Sequence, residues 1–140
     1  MERRTIDDLL ADARARLRRL EPAEAYAAVR QGAALIDTRC AELRQRDGSV
    51  PGSIAIPLSV LFWRLDPSSG HDTPALSQAR DRQVILMCDH GYSSSLAAAT
   101  LHDLGFDKAT DVTGGFQAWA AAGLPVAHQT SKARGSRAAD

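Results

Sequence analysis

The chain is organised around residues 84–99, which read VILMCDHGYSSSLAAA. The segment opens with four apolar residues, a pattern typical of a strand that is buried on both faces. Cys88 stands where this strand should end, and a short polar stretch containing Gly91 follows it. The alanine-rich run after that stretch predicts a helix, with Ser93 or Ser94 as its N-cap.

A strand, a tight loop and a helix N-terminus in this order predict an anion site around Cys88. The loop amides point inward, and the helix adds the positive end of its dipole. Both features favour a thiolate, so Cys88 is the expected nucleophile. The amides from Asp89 to Ser94 and the Ser93 or Ser94 hydroxyl are the expected donors. Gly91 lets the backbone fold inward without a Cβ clash.

Three other side chains of this stretch have expected roles. His90 either polarises a substrate and accepts a proton, or packs against the loop and faces water. Tyr92 is expected to shape the entrance to the site. Asp89 opposes ionisation of Cys88 unless its carboxylate turns outward to solvent.

A second group of candidates follows the predicted strand 33–36. Asp37 and Arg39 stand at the sheet edge where ligands collect in open α/β folds, so they can approach Cys88 or form a structural ion pair. Cys40 is either a resolving thiol for Cys88 or a passive cysteine. In the predicted helix 58–65, Trp63 and Arg64 either line the mouth of the site or serve as core and surface residues.

Strands and helices alternate along the rest of the chain. Further strands are expected at 53–56 and 109–112, and residues 18–20 are either the end of a first helix or a short first strand. An amphipathic helix capped by Thr5 is expected over 5–19, either as a packing helix or as a partner-binding one. This alternation predicts a parallel sheet with helices on both faces. The predicted organisation is an N-terminal helical extension (1–17), one domain (18–127) and a disordered tail (128–140).

The bulk composition excludes several classes of function. The 140 residues suffice for one domain, and the 17 basic and 17 acidic residues balance, which argues against a nucleic-acid or membrane surface. Two cysteines do not make a disulfide framework, and no apolar run has membrane-spanning length. The four histidines are scattered without metal-ligand spacing. These features predict a cytoplasmic protein without metal or cofactor.

Four motifs in order resemble the rhodanese-like sulfurtransferase family, over roughly residues 18–127. They are LIDTR at 35–39, VPGSIAIP at 50–57, the loop from Cys88 to Ser94, and GGFQAW with GLPV at 114–119 and 123–126. The loop pattern is most similar to that of small single-domain bacterial thiosulfate sulfurtransferases. The resemblance implies a five-stranded parallel sheet and a six-residue loop from Cys88 to Ser93, with Ser94 starting the helix. Family loops often contain an arginine near the end, where this chain has Ser93.

The activity that this resemblance implies is sulfur transfer through a persulfide on Cys88. The donor is a small molecule such as thiosulfate, and the acceptor is a thiol, cyanide or a sulfur-carrying protein. Residues 89–94 form the binding loop, with Asp37, Arg39 and Arg64 as supporting residues. The protein is expected to be a monomer or a homodimer.

Three other functions are weighed against this one. A cysteine phosphatase needs an arginine six positions after its cysteine, and that position is Ser94. A thioredoxin-like redox pair needs Cys-x-x-Cys, which is absent. A non-catalytic binding module or a sulfur-relay domain is the remaining alternative, although binding modules of this family usually lack the cysteine that is present here.

Overall fold

The structure is a computed structural model that describes residues 2–128. Most of the predicted tail, residues 129–140, lies outside the described residues. The helices are α1 (Ile6–Ala15), α2 (Pro22–Arg30), α3 (Ala41–Asp47), α4 (Leu61–Leu65), α5 (Pro74–Ser77), α6 (Ser93–Asp103) and α7 (Gly115–Ala121). The strands are β1 (Ala34–Asp37), β2 (Ile54–Ala55), β3 (Val84–Met87) and β4 (Thr110–Asp111).

The four strands form one parallel sheet in the order β2-β1-β3-β4. Strands β1 and β3 are the central pair, in a register that places Asp37 opposite Met87. Because all strands run the same way, the residues that follow them gather at one edge. Cys88, which follows β3, therefore emerges near the centre of that edge.

The sheet within the described residues has four strands, so the expected number of five is wrong. The candidate fifth strand is reduced to a single parallel bridge between Leu20 and Val112. Leu20 donates to the carbonyl of Asp111 and accepts from Thr113, but the chain then enters α2 at Pro22. Proline has no N–H to extend a ladder, and the amide of Glu21 is bound by the Glu24 side chain.

The sheet separates two apolar clusters, as the alternation of side chains along a strand requires. One cluster joins Leu86 and Ile36 to the alanine face of α6. The other joins Leu35 and Ile85 to Phe116 and Trp119 of α7. Both faces of the central strands are therefore covered by helices, which explains why β1 and β3 are buried at every position.

The N-terminal helix is shorter than the expected span 5–19. It begins after Thr5 with a reciprocal capping box to Asp8 and ends at Ala15. The next residues run beside β4, where the Arg18 carbonyl accepts from the Thr110 hydroxyl. No helix within residues 2–128 has the length and apolar character needed to cross a bilayer.

Candidate active site

Cys88 lies directly after β3, at the base of the loop that leads into α6. The residue is 7% exposed. The Gly91 amide donates a hydrogen bond to Cys88 Sγ at 3.1 Å, and the thiol donates to Ser94 Oγ at 3.2 Å. The loop thus closes over the sulfur, with the first turn of α6 behind it.

The surroundings of Cys88 favour its anion. Burial raises the pKa of the thiol, but the Ser94 hydroxyl and amide, the Ser93 hydroxyl and the Gly91 amide, which are groups that can donate to the anion, lower it by more. The net result is a pKa below the ordinary value for cysteine. Donors that bind a charged form stabilise it relative to the neutral form, and the Gly91 amide already donates to the sulfur.

Ser94 has a structural role other than the predicted cap. The N-cap of α6 is Tyr92, without a side-chain hydrogen bond, so both the predicted N-cap serines and the start at Ser94 are wrong. The Ser94 hydroxyl points inward and donates to Asp111 Oδ2 at 2.7 Å. It therefore connects the cysteine to a buried carboxylate.

Asp111 was not among the candidates predicted from the sequence. It ends β4, is fully buried, and accepts from the Ser94 and Ser95 hydroxyls at 2.7 Å each. Arg19 pairs with it through Nε to Oδ1 at 2.8 Å and Nη2 to Oδ2 at 3.1 Å. Its position at the carboxyl end of a strand beside β3 could have predicted it, since the same pattern made Asp37 a candidate.

Two arginines hold the outer side of the loop. The Gly91 carbonyl accepts from Arg14 Nη2 at 2.8 Å and from Arg19 Nη2 at 3.0 Å. Arg14 also donates through Nε to Ser95 Oγ at 3.1 Å, and its guanidinium lies 5.5 Å from the centre of the exposed Tyr92 ring. The cationic side chains bound to this loop therefore come from α1 and the segment after it.

The start of α7 fixes the first two residues of the loop. The Phe116 amide donates to the Cys88 carbonyl at 2.8 Å, and the Gln117 amide donates to the Asp89 carbonyl at 3.1 Å. Gly115 makes this approach possible, because a Cβ there would overlap the Cys88 carbonyl oxygen. The predicted glycine turn thus brings a helix N-terminus against the loop.

Asp89 and His90 face away from the bonds that hold the sulfur. Asp89 Oδ1 accepts from Gln117 Nε2 at 2.9 Å, and Asp89 Oδ2 lies 3.2 Å from His90 Nε2. The His90 side chain is 67% exposed. Its ring is therefore open to solvent at the rim of the site.

Asp37 and Arg39 form a buried pair. Arg39 donates to both carboxylate oxygens, at 3.1 and 2.8 Å, and to the Gly48 carbonyl at 2.7 Å. Its guanidinium lies 3.7 Å from the centre of the Phe116 ring. Neither side chain is hydrogen-bonded to the loop 88–94 within the described residues, so the geometry is that of the structural alternative.

Arg64 and Trp63 are both exposed on α4. Leu61 and Leu65, four residues apart, form the buried face of this short helix, which leaves Trp63 54% exposed. The expectation that Trp63 is a core residue is therefore wrong. Arg64 lines a cavity of about 220 Å³ with residues of β2. Cys40 is exposed before α3, and both cysteines are free thiols.

The chain is similar to known proteins over most of its length. The family model of the rhodanese-like domain matches residues 21–122. Thiosulfate sulfurtransferase GlpE of Pseudomonas savastanoi pv. phaseolicola is 36% identical over 104 residues, which cover 74% of this chain and 88% of that protein.

Two solved structures have similar folds. A protein of unknown function from Rhodopseudomonas palustris, described as a "possible tyrosine phosphatase", is 32% identical with a TM-score of 0.83. The match covers 91% of this chain and 97% of that one. The polysulfide-sulfur transferase homodimer of Wolinella succinogenes is 22% identical with a TM-score of 0.67, and the match covers 86% and 85% of the two chains.

Proposed function

The chain belongs to the rhodanese-like domain family, and from this premise we propose that it transfers sulfur through a persulfide on Cys88. Its similarity to a thiosulfate sulfurtransferase supports a rhodanese-type enzyme. The observation that carries the proposal is a cysteine sulfur within hydrogen-bond reach of both the Gly91 amide and the Ser94 hydroxyl. A persulfide, like a thiolate, is an anion that such donors stabilise.

In the first half-reaction, the Cys88 thiolate attacks the outer sulfur of thiosulfate. A bond forms between the two sulfurs, and the bond between the outer sulfur and the sulfonate sulfur breaks. Sulfite leaves with the bonding electron pair, and the negative charge of the cysteine passes to the terminal sulfur of the persulfide. This charge must be accommodated next to Cys88, where the donors of the loop are located.

In the second half-reaction, a nucleophile attacks the terminal sulfur. Cyanide leaves as thiocyanate, or a thiolate leaves as a persulfide, and the electron pair of the broken S–S bond returns to Cys88. The acceptor is a small thiol, cyanide or the cysteine of a sulfur-carrying protein. The cytoplasmic location and the state of monomer or homodimer remain predictions from the sequence.

Residues 89–94 form the binding loop in this proposal, and Asp37, Arg39 and Arg64 support it. The buried pair acts at a distance from the sulfur, by holding the residue after the end of α3 and the start of α7 in place. Arg64 lies at the surface, where it is available to an anionic donor or partner.

A phosphatase is the less well supported chemistry for the same cysteine. The loop contains no arginine that could clamp phosphoryl oxygens in a bidentate way. Arg14 and Arg19 reach the loop from outside it and donate to the Gly91 carbonyl. Their other donors bind Ser95 and Asp111, so neither guanidinium is arranged as a phosphoryl clamp, which argues against a phosphatase.

The test is the intact mass of the protein after incubation with thiosulfate and removal of small molecules. Wild type is expected to gain one sulfur atom that cyanide removes, Cys88→Ser to gain none, and Cys40→Ser to behave as wild type. If no adduct forms with thiosulfate, mercaptopyruvate or a cysteine-desulfurase donor, the sulfurtransferase proposal is wrong and the binding-module alternative replaces it. If Cys40→Ser gains no sulfur, the persulfide forms on Cys40 and its assignment to Cys88 is wrong.

A further inference from the structure

We propose that Arg14, a residue of the N-terminal helix, is a positioning residue that holds Gly91 so that its amide faces the Cys88 sulfur. This role rests on the proposed function, because it concerns the same cysteine. It also assigns a role to the N-terminal helix, which lies outside the region matched by the family model. The matched region begins at residue 21, and α1 ends at Ala15. A segment outside the shared domain thus completes the loop around the sulfur.

Gly91 needs an external restraint because of its own chemistry. Glycine has the widest range of backbone conformations, so the chain alone does not fix the direction of its N–H. Here its φ is +84°, and a Cβ would lie 2.7 Å from the Gly114 nitrogen. Only glycine fits this position. Because glycine rotates freely about its backbone bonds, its orientation depends on contacts with its neighbours.

The restraint is supplied at the Gly91 carbonyl. Arg14 and Arg19 both donate to this oxygen, at 2.8 and 3.0 Å, which anchors the peptide plane between Gly91 and Tyr92 and so restricts rotation at Gly91. The Gly91 amide is then held in the direction in which it donates to Cys88 Sγ at 3.1 Å. Arg14 also contacts Ser95 and Tyr92, so it joins the end of the loop to the first turn of α6.

Arg14 differs from Arg19 in the charge of its partners. Arg19 is paired with the Asp111 carboxylate, which neutralises it. Among residues 2–128, Arg14 has no ion-pair partner, and its contacts are a carbonyl, a hydroxyl and an aromatic ring. It therefore brings an uncompensated positive charge to a loop that has no arginine of its own.

The test is the pH profile of Cys88 alkylation by iodoacetamide, with Cys40→Ser as the background. Arg14→Met is expected to move the midpoint upward by about half to one pH unit, and to slow alkylation at pH 7 about threefold to tenfold. Arg14→Lys keeps the charge but loses the planar fork of donors. Its alkylation midpoint is expected to lie between those of the Cys40→Ser background and Arg14→Met. The thermal midpoint of each variant shows that it is folded.

Arg16→Met is the matched control. Arg16 follows α1 and pairs with Asp103 at the far end of α6, at 2.8 Å, so it joins the same two helices without touching the loop. It is expected to leave the profile unchanged. An unchanged profile in folded Arg14→Met overturns the inference, and so does an equal shift in Arg16→Met, which would assign the effect to helix docking. If Arg14→Met does not fold, Arg14→Gln is measured in its place and read by the same criteria.

Alkylation needs no sulfur donor, so this test is separate from that of the proposed function. If thiosulfate leaves no sulfur on Cys88 while Arg14→Met still shifts the alkylation profile, the proposed function fails and the positioning role stands. If the persulfide forms and the alkylation profile does not change, the positioning role fails alone.

Discussion

The hydroxyl of Ser94 has one hydrogen and two neighbours that can accept it. With Cys88 in its thiol form, the S–H donates to Ser94 Oγ and the Ser94 hydroxyl donates to Asp111. When the thiol ionises, this hydroxyl is free to turn to the sulfur, because Asp111 keeps the Ser95 hydroxyl and both bonds from Arg19. The buried carboxylate therefore remains satisfied while the sulfur gains a donor.

The pH dependence of Cys88 follows from the direction of its pKa shift. Because the folded state lowers this pKa, alkylation of Cys88 in the Cys40→Ser background should reach half of its plateau rate below about pH 8.5, the value of an ordinary thiol. The contribution of the thiolate to stability is full above the unfolded-state pKa and is lost as the pH falls through the folded-state pKa. As the pH increases from the folded-state pKa to the unfolded-state pKa of Cys88, the free energy of unfolding of wild type should therefore rise relative to that of Cys88→Ser. A midpoint at or above pH 8.5 would contradict the assignment.

Ser94→Ala tests the hydroxyl directly. Loss of a donor to a charged group is expected to raise the pKa of Cys88 by about one unit and to slow alkylation at pH 7 about tenfold. Ser95→Ala removes an equally short bond to Asp111 and the bond from Arg14 Nε, but no contact to the sulfur, so its effect on alkylation should be smaller than that of Ser94→Ala. Equal effects of the two variants would show that the carboxylate, and not the hydroxyl, controls the sulfur.

At the scale of elements, the loop from Cys88 to Tyr92 is shaped by the glycine turn that precedes α7. Gly91 and Gly52 have nearly the same φ, +84° and +83°, but a Cβ on Gly52 would meet nothing within 4 Å. Gly91→Ala and Gly52→Ala should therefore share a conformational cost of about 1–2 kcal/mol. Only Gly91→Ala should also displace the loop against Gly114.

The readout that separates these variants is Cys88 alkylation beside the free energy of unfolding in urea. Gly91→Ala is expected to slow alkylation at pH 7 more than about tenfold, since the amide that donates to the sulfur moves with its residue. Gly52→Ala should lose stability and keep the wild-type rate. A wild-type rate in Gly91→Ala would mean that the amide is not needed for ionisation.

Elements that depend on local pattern were predictable from the sequence, and contacts between distant segments were not. The apolar run 84–87 and the cysteine after it predict a buried strand that ends at the site, and the structure has that strand. The partnership of Ser94 with Asp111 joins residues 17 positions apart, and that of Arg14 with Gly91 spans 77. The periodicity of apolar residues along the chain does not predict contacts between residues so far apart.

Two errors have a common physical origin in competition for the same groups. Ser93 and Ser94 have the composition of an N-cap, but Ser94 is used on Asp111 and the cysteine, and helix α6 begins one residue earlier than expected. Residues 18–20 have strand neighbours, but Pro22 starts a helix before a ladder can form. In each case, tertiary contacts or the next element decided what local propensity left open.

At the scale of the whole molecule, segments from both ends of the described chain converge on one sheet edge. Arg14 and Arg19 arrive from the N-terminal side, Asp111 from β4, and Phe116 from α7. The Asp37–Arg39 pair joins β1 to Gly48 and to the Phe116 ring in the same region. The stability of the fold and the shape of the site are thus coupled through buried polar contacts.

Arg39→Met should show this coupling as a loss of stability. The variant leaves the Asp37 carboxylate buried without its cation, which is expected to lower the free energy of unfolding by about 3–5 kcal/mol. The thermal midpoint should then fall by roughly 10–20 °C. Arg46→Met, which breaks the exposed pair with Asp47, is the matched control and should leave the midpoint unchanged.

The double variant Asp37→Asn with Arg39→Met separates the cost of an orphaned charge from the cost of lost packing. The asparagine oxygen can still accept from the backbone amide of residue 39, as Asp37 Oδ1 does at 3.0 Å in the wild type. No charge of the pair then remains buried. The double variant should therefore be more stable in urea than Arg39→Met alone, since a buried pair is harmed most by removing one partner. If it is no more stable than Arg39→Met, the orphaned charge is not what destabilises the single variant, and the lost contact of the guanidinium with the Phe116 ring is the larger contribution.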